Sequence, residues 1–133
     1  MSFLTYHGKL LLVVDGETAV VRLKFAPFGV NLDARITLAN YVAPETIGPE
    51  ADLGRQARAA LNELLARGEL DILLDDERNE ARSSYPASVV VNTQDGPVDV
   101  VTELISKGWG REGNPTQARA PFERERYPAA PAV

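Results

Sequence analysis

The sequence has no cysteine and only one histidine, one methionine and one tryptophan among its 133 residues. Without cysteine there are no disulfides, no thiolate metal sites and no thiol nucleophile. A single histidine, His7, excludes a histidine relay and a multi-histidine metal centre. No apolar run approaches the roughly 20 residues that a membrane-spanning helix needs. The opening MSFLTYHGKL lacks the basic start and long apolar stretch of a secretory signal, so an intracellular protein with no membrane partner is expected. Cations are scarce too. Fourteen Lys and Arg against nineteen Asp and Glu give a net charge of −5. An acidic chain starts at a disadvantage as a phosphate binder. With four Phe, four Tyr and one Trp, stacking platforms for single strands are also few.

What remains is a globular composition, 44% apolar and 25% charged, at the length of one domain. Residues 9–14 form an apolar run ended by the turn signal Asp15-Gly16. Residues 18–25 alternate, with Ala19, Val21, Leu23 and Phe25 on one face and Arg22 and Lys24 on the other. Residues 30–39 resume the alternation through Ala34, Ile36 and Leu38. Three strands joined by short turns imply an antiparallel meander. After a loop over 40–50, Leu53, Ala57, Ala60, Leu61, Leu64 and Leu65 recur at helical spacing, predicting a helix over 51–67 stopped by Gly68. Residues 70–75 and 88–92 read as the fourth and fifth strands, and Asp95-Gly96 as a turn. Asp99 is placed to cap a short helix, 100–107, that Gly108 ends. Beyond residue 111 the chain is rich in proline, so 112–133 is expected to be an extended arm with one helical turn near 116–120, appended to a domain of residues 1–111.

Three strands, a helix, two strands and a helix outline a mainly β (α+β) fold, a five-stranded OB-fold barrel with a long helix after strand 3 and a short one after strand 5. Function does not follow from that outline alone. Acidic side chains gather at Glu69, Asp71, Asp75, Asp76, Glu77 and Glu80. A solvated strand end and loop is the favoured reading, and a cation site the alternative.

The motifs resemble the thermonuclease, or staphylococcal-nuclease-like, family. Val14-Asp15-Gly16-Glu17-Thr18 stands where that family has D-G-D-T. Phe28-Gly29-Val30 is followed by ITLANYVAPE at 36–45, where the family has a strand ending R-L-x-G-I-D-x-P-E. Gly48-Pro49-Glu50-Ala51 opens the long helix, Tyr85 precedes the fifth strand, and ELISKGWG at 103–110 matches the second helix and its glycine stop. The resemblance covers residues 9 to 111.

It implies calcium-assisted hydrolysis of a phosphodiester. A hard cation bound by carboxylates would polarise the phosphoryl group, a glutamate would activate water, and two arginines would stabilise the developing charge. Anchored on Pro44-Glu45, the general-base position keeps a glutamate, Glu45. One metal-binding aspartate becomes Glu17, one methylene longer. The other becomes Val42, which cannot ligate. The first arginine becomes Thr37, with Arg35 displaced by two residues, roughly 7 Å along the same strand face. The second becomes Ala87, two residues after Tyr85, which matches a family tyrosine near the phosphate. With both arginines and one ligand replaced, the expectation is a catalytically degenerate member that needs no cofactor, with calcium required if activity remains. Its role is then a binding or assembly module, with a protein partner, homo-oligomer or larger particle favoured. Phe122 and Tyr127 of the arm are candidate contacts. Nucleic acid is the second class of partner, over a cationic strip of Lys9, Arg22, Lys24 and Arg35. A nuclease with a rearranged site is the third reading. Trp109 is expected to cover the edge of the core, and His7 is assigned no role.

Overall fold

A computed structural model describes residues 3–25, 29–75 and 84–113, with residues 121, 122, 124, 127 and 128 of the terminal arm. In chain order the elements are β1 (Phe3–Val13), β2 (Thr18–Phe25), β3 (Val30–Leu38), β4 (Tyr41–Val42), a 3-10 turn (Gly48–Glu50) and α1 (Ala51–Leu65). They continue with β5 (Glu69–Asp75), β6 (Tyr85–Thr93), β7 (Gly96–Asp99), α2 (Val100–Ser106) and β8 (Arg111–Glu112).

The expected meander is present. β1 pairs antiparallel with β2, and β2 with β3 in unbroken register from Thr18↔Thr37 to Phe25↔Val30. β5 pairs with the first half of β1, from Phe3↔Asp75 to Gly8↔Leu70, and β6 pairs with β5. The sheet closes where β6 meets β3 in parallel, at Ile36↔Tyr85, Thr37↔Pro86 and Leu38↔Ala87. The result is a closed, mixed, five-stranded barrel of OB-like outline. β1 has β2 on one edge and β5 on the other, and its register with β2 slips between Leu10 and Leu12, the signature of a bulge.

Every inward position expected on β2 and α1 faces the core, Phe25 only partly. Val21, Leu23, Ile36, Leu61, Leu65, Leu70, Ile72, Val89 and Val91 form one continuous cluster. The ends of α2 follow their local chemistry. The Asp99 carboxylate accepts from the Thr102 amide (3.0 Å) and hydroxyl (2.6 Å). At the other end the amides of Gly108 and Trp109 donate back to the carbonyls of Ile105 and Leu104, with Gly108 at φ +82°.

Several boundaries differ from the sequence reading. β1 begins six residues before its apolar run, because hydrogen bonding to β5 holds Phe3–Gly8 extended despite their mixed character. β6 begins at Tyr85 rather than 88, held by β3 on one side and β5 on the other. β4, β7 and β8 were not expected. β7 contains Gly96-Pro97, which reads as a breaker, yet it simply returns from the Asp95-Gly96 turn along β6. α1 ends at Leu65, two residues early, with Arg67 in the following turn. The expected helical turn at 116–120, most of the acidic loop and Ala26–Phe28 lie outside the described residues.

The described arm residues lie on their own barrel. The Tyr127 hydroxyl donates to the Trp109 carbonyl (2.7 Å), and its ring meets the Trp109 and Phe122 rings edge to face. The Phe122 amide donates to the Glu50 carboxylate (2.9 Å), and Arg124 pairs with Asp52. Trp109 is buried, as expected for a residue covering the edge of the core.

Candidate functional site

An open cleft of about 420 Å³ lies where the β1–β2 turn, β3 and the loop after β4 meet. Val14, Asp15, Glu17 and Thr18 line it from the turn, Arg35 from β3, and Pro44, Glu45, Thr46 and Ile47 from the loop. Three side chains singled out in the sequence, Glu17, Arg35 and Glu45, therefore share one space. The period of two places Arg35 on the outer face of the sheet, beside Val20 in the neighbouring strand.

The turn is built by its own polar groups. The Asp15 carboxylate accepts from the Glu17 amide (2.9 Å), closing an Asx turn. Glu17 then points inward. It is 5% exposed, and its Oε2 accepts from the Ala43 amide at 3.1 Å. This carboxylate ties the loop of residues 43–47 to the turn. From the other side Gly54 of α1 touches the carbonyl of Glu45, and a Cβ at residue 54 would overlap that oxygen. Glycine is required there by close approach, not by backbone conformation. The Glu45 side chain is left exposed at the rim of the cleft, and Ile47 beside it is 77% exposed.

The remaining positions are closed. Thr37 is 3% exposed and Ser84 fully buried, and their hydroxyl oxygens lie 2.6 Å apart. Thr37 sits on the outer face of the sheet, yet it is buried, with Ser84, next to the start of β6, against its hydroxyl. Val42 and Ala87 are buried as well. Tyr85 is half-buried against the core at the start of β6 and does not line the cleft.

Calcium asks for several hard oxygen ligands. Val42 offers none, Thr37 and Ser84 bind each other, and Glu17 already holds the Ala43 amide. Among the described residues no three acidic or histidine side chains converge on one point. Asp15, Glu17 and Glu45 line the cleft, with Asp15 and Glu17 each holding a backbone amide.

Two of the four cations of the proposed strip, Arg22 and Lys24, are paired with carboxylates. Arg22 makes a two-point contact with Asp33, at 2.9 and 3.3 Å. The Lys24 ammonium donates to Glu69 at 2.8 Å, and His7 lies 2.6 Å from Asp71. These contacts hold the carboxylates below their ordinary range: Asp33 through the Arg22 hydrogen bonds, Glu69 through Lys24, and Asp71 through the Asn92 amide and then His7. Glu69 and Asp71 of the acidic run are thus spent on neighbouring strands. Arg22 and Lys24 balance acids rather than project an unopposed positive field.

Three residues escaped the sequence reading. Ser84 sits in a polar loop and shows no signal of burial. Ile47 is visible in hindsight as the one large aliphatic side chain in an otherwise polar and proline-rich stretch. Tyr41 is fully buried, and its hydroxyl has no hydrogen-bond partner among the described residues. Burial pushes its phenol well above the ordinary range, with the charges of Tyr127 and Glu17 adding to the shift.

Neither comparison with models of known families nor comparison with curated proteins finds a significant match to this chain.

Proposed function

We propose that the chain is a thermonuclease-like OB barrel that no longer performs phosphodiester chemistry and serves as a protein-binding module. The observation that carries this reading is the buried Thr37–Ser84 hydroxyl pair. On the resemblance, Thr37 occupies the place of an arginine that would stabilise the transition state. A guanidinium there would have to displace a sealed hydrogen bond and take a charge out of water, a penalty of several kcal/mol. Removing one such donor from a catalytic site lowers rate by roughly 100-fold or more.

A protein partner is favoured over nucleic acid by the pairing of Arg22 and Lys24 with carboxylates. Arg35 and the exposed Ile47 line the same cleft, and arginine is among the residues that carry most of the energy of protein interfaces. Phe122 and Tyr127, by contrast, are engaged on their own barrel.

The competing reading is a calcium-dependent nuclease with a rearranged site, and one observation favours it: Arg35 lines the same cleft as Glu17 and Glu45. A cleavage assay on single-stranded DNA and on RNA, with and without calcium, separates the two. No turnover above background is expected. Turnover that disappears in Glu45→Ala would replace the binding reading with the enzymatic one. In the same preparation, DNA and RNA are expected not to bind even at low salt. Binding that weakens steeply with added salt would point to the nucleic-acid class instead.

A further inference from the structure

β3 gives one edge to β2 along its length, from Val30 to Thr37. Its other edge meets β6 only at Ile36–Leu38. From Val30 to Arg35 no strand among the described residues pairs with that edge. β2 stays against the core here, with Leu23 buried and Phe25 packed on it, while the start of β3 lies at the margin of the sheet. Val30 lies opposite Phe25 and Leu32 opposite Leu23, yet Val30 is 55% and Leu32 54% exposed.

An exposed strand edge is a template for another strand, and proteins that stay monomeric blunt such edges with lysine, proline or a bulge. Val30–Arg35 has no lysine and no proline, its one basic residue, Arg35, stands at the end next to the β6 seam, and its register with β2 is unbroken. Its one acidic residue, Asp33, is neutralised by Arg22.

The edge is also complementary to itself. In an antiparallel pair centred on Leu32, Leu32 faces its own copy, Val30 faces Ala34, and Asn31 faces Asp33. The apolar side chains of both copies then lie on one face, and an amide meets a carboxylate on the other. Centring the pair on residue 33 instead would set Leu32 against Ala34 and part the two leucines.

We propose that the open edge of β3 joins the same edge of a second copy, antiparallel, with the two-fold axis at Leu32. This rests on the reading of the chain as a protein-binding barrel and names one partner for it. The two sheets become continuous through β3, and Val30 and Leu32 leave water together.

The absence of cysteine makes the test direct. The intact chain is weighed by light scattering over a dilution series, and single-cysteine variants are oxidised mildly. At the axis the two Leu32 Cα atoms would lie about 4.5–5.5 Å apart, within the ~4.4–6.8 Å a disulfide spans. The two Val30 Cα atoms would be roughly 13 Å apart along the strands, out of reach. The expected result is twice the 14.5 kDa chain mass at high concentration. Leu32→Cys then cross-links, Val30→Cys does not, and Leu32→Lys is a monomer that unfolds at the midpoint shown by the intact chain when diluted to its monomer. A chain that stays monomeric at every concentration overturns the proposal. So does a dimer that survives Leu32→Lys, or equal cross-linking at both positions. The binding reading itself falls on a different result, the Glu45-dependent turnover described above.

Discussion

The hydroxyls of Thr37 and Ser84 meet 2.6 Å apart, across 47 residues of sequence and out of contact with water. One donates and the other accepts, so removing either leaves a buried hydroxyl without this partner. Thr37→Val and Ser84→Ala are each expected to destabilise the fold by about 1–3 kcal/mol. The double variant should lose less than the sum, because it removes both partners at once. Urea unfolding of the four proteins measures this coupling. Strict additivity would show that the two hydroxyls act independently.

Gly54 gives a prediction with an unusual sign. At an open helical site, Gly→Ala stabilises by up to about 1 kcal/mol. Here a Cβ would strike the carbonyl of Glu45, so Gly54→Ala is expected to destabilise and to loosen the cleft loop. Ala59 sits exposed on the same helix, and Ala59→Gly provides the control for intrinsic propensity. Urea midpoints of both variants decide whether close approach outweighs propensity.

The terminal arm acts as a clasp. Tyr127→Phe removes its hydrogen bond to the Trp109 carbonyl and is expected to lose about 0.5–1.5 kcal/mol. Ending the chain after Gly113 also removes the ring contacts and the Arg124–Asp52 pair, so its thermal midpoint should fall further. An unchanged midpoint in the truncated chain would mean that the arm contributes no net stability.

Acid should weaken the barrel in a defined window. Asp33, Glu69 and Asp71 titrate lower in the folded chain than in the unfolded one. The native state therefore binds fewer protons, and the stabilisation is complete above the unfolded values near pH ~4. It is lost as pH falls through the folded values. Thermal melts from pH ~6 to ~2 should show a midpoint that drops below about pH 4. Asp71→Asn should reduce that drop. Because these groups are exposed, added salt should shrink the effect.

The sequence was most informative where side-chain period and burial coincide. The alternation of β2 and the spacing of α1 both mark buried faces, and the Asp99 cap and Gly108 stop are local chemistry with local consequences. The bends and short pairings were hidden because no residue announces them. Phe3–Gly8 is a strand because β5 lies beside it, and Tyr41–Val42 because Arg111–Glu112 returns to it. At the cleft, the period of two placed Arg35 on the same face as Thr37. It could not show that Thr37 is covered while Arg35 is open, since that depends on where the chain enters β6. The pairing of Arg22 and Lys24 was equally unreadable. Asp33 is eleven residues from Arg22 and Glu69 forty-five from Lys24, and only the register across strands brings them together.

The seam between β3 and β6 holds only three residue pairs and joins positions 49 apart, Ile36 to Tyr85. As the chain leaves the ribosome, β1, β2 and β3 can assemble early as a ribbon, but the cylinder stays open until residue 87 has arrived. A nascent chain halted before Tyr85 would show both borders of the sheet to its surroundings. Closure of this seam also waits on the pairing of β5 with β1, which joins positions still farther apart, Phe3 to Asp75, and contacts so distant in sequence form slowly.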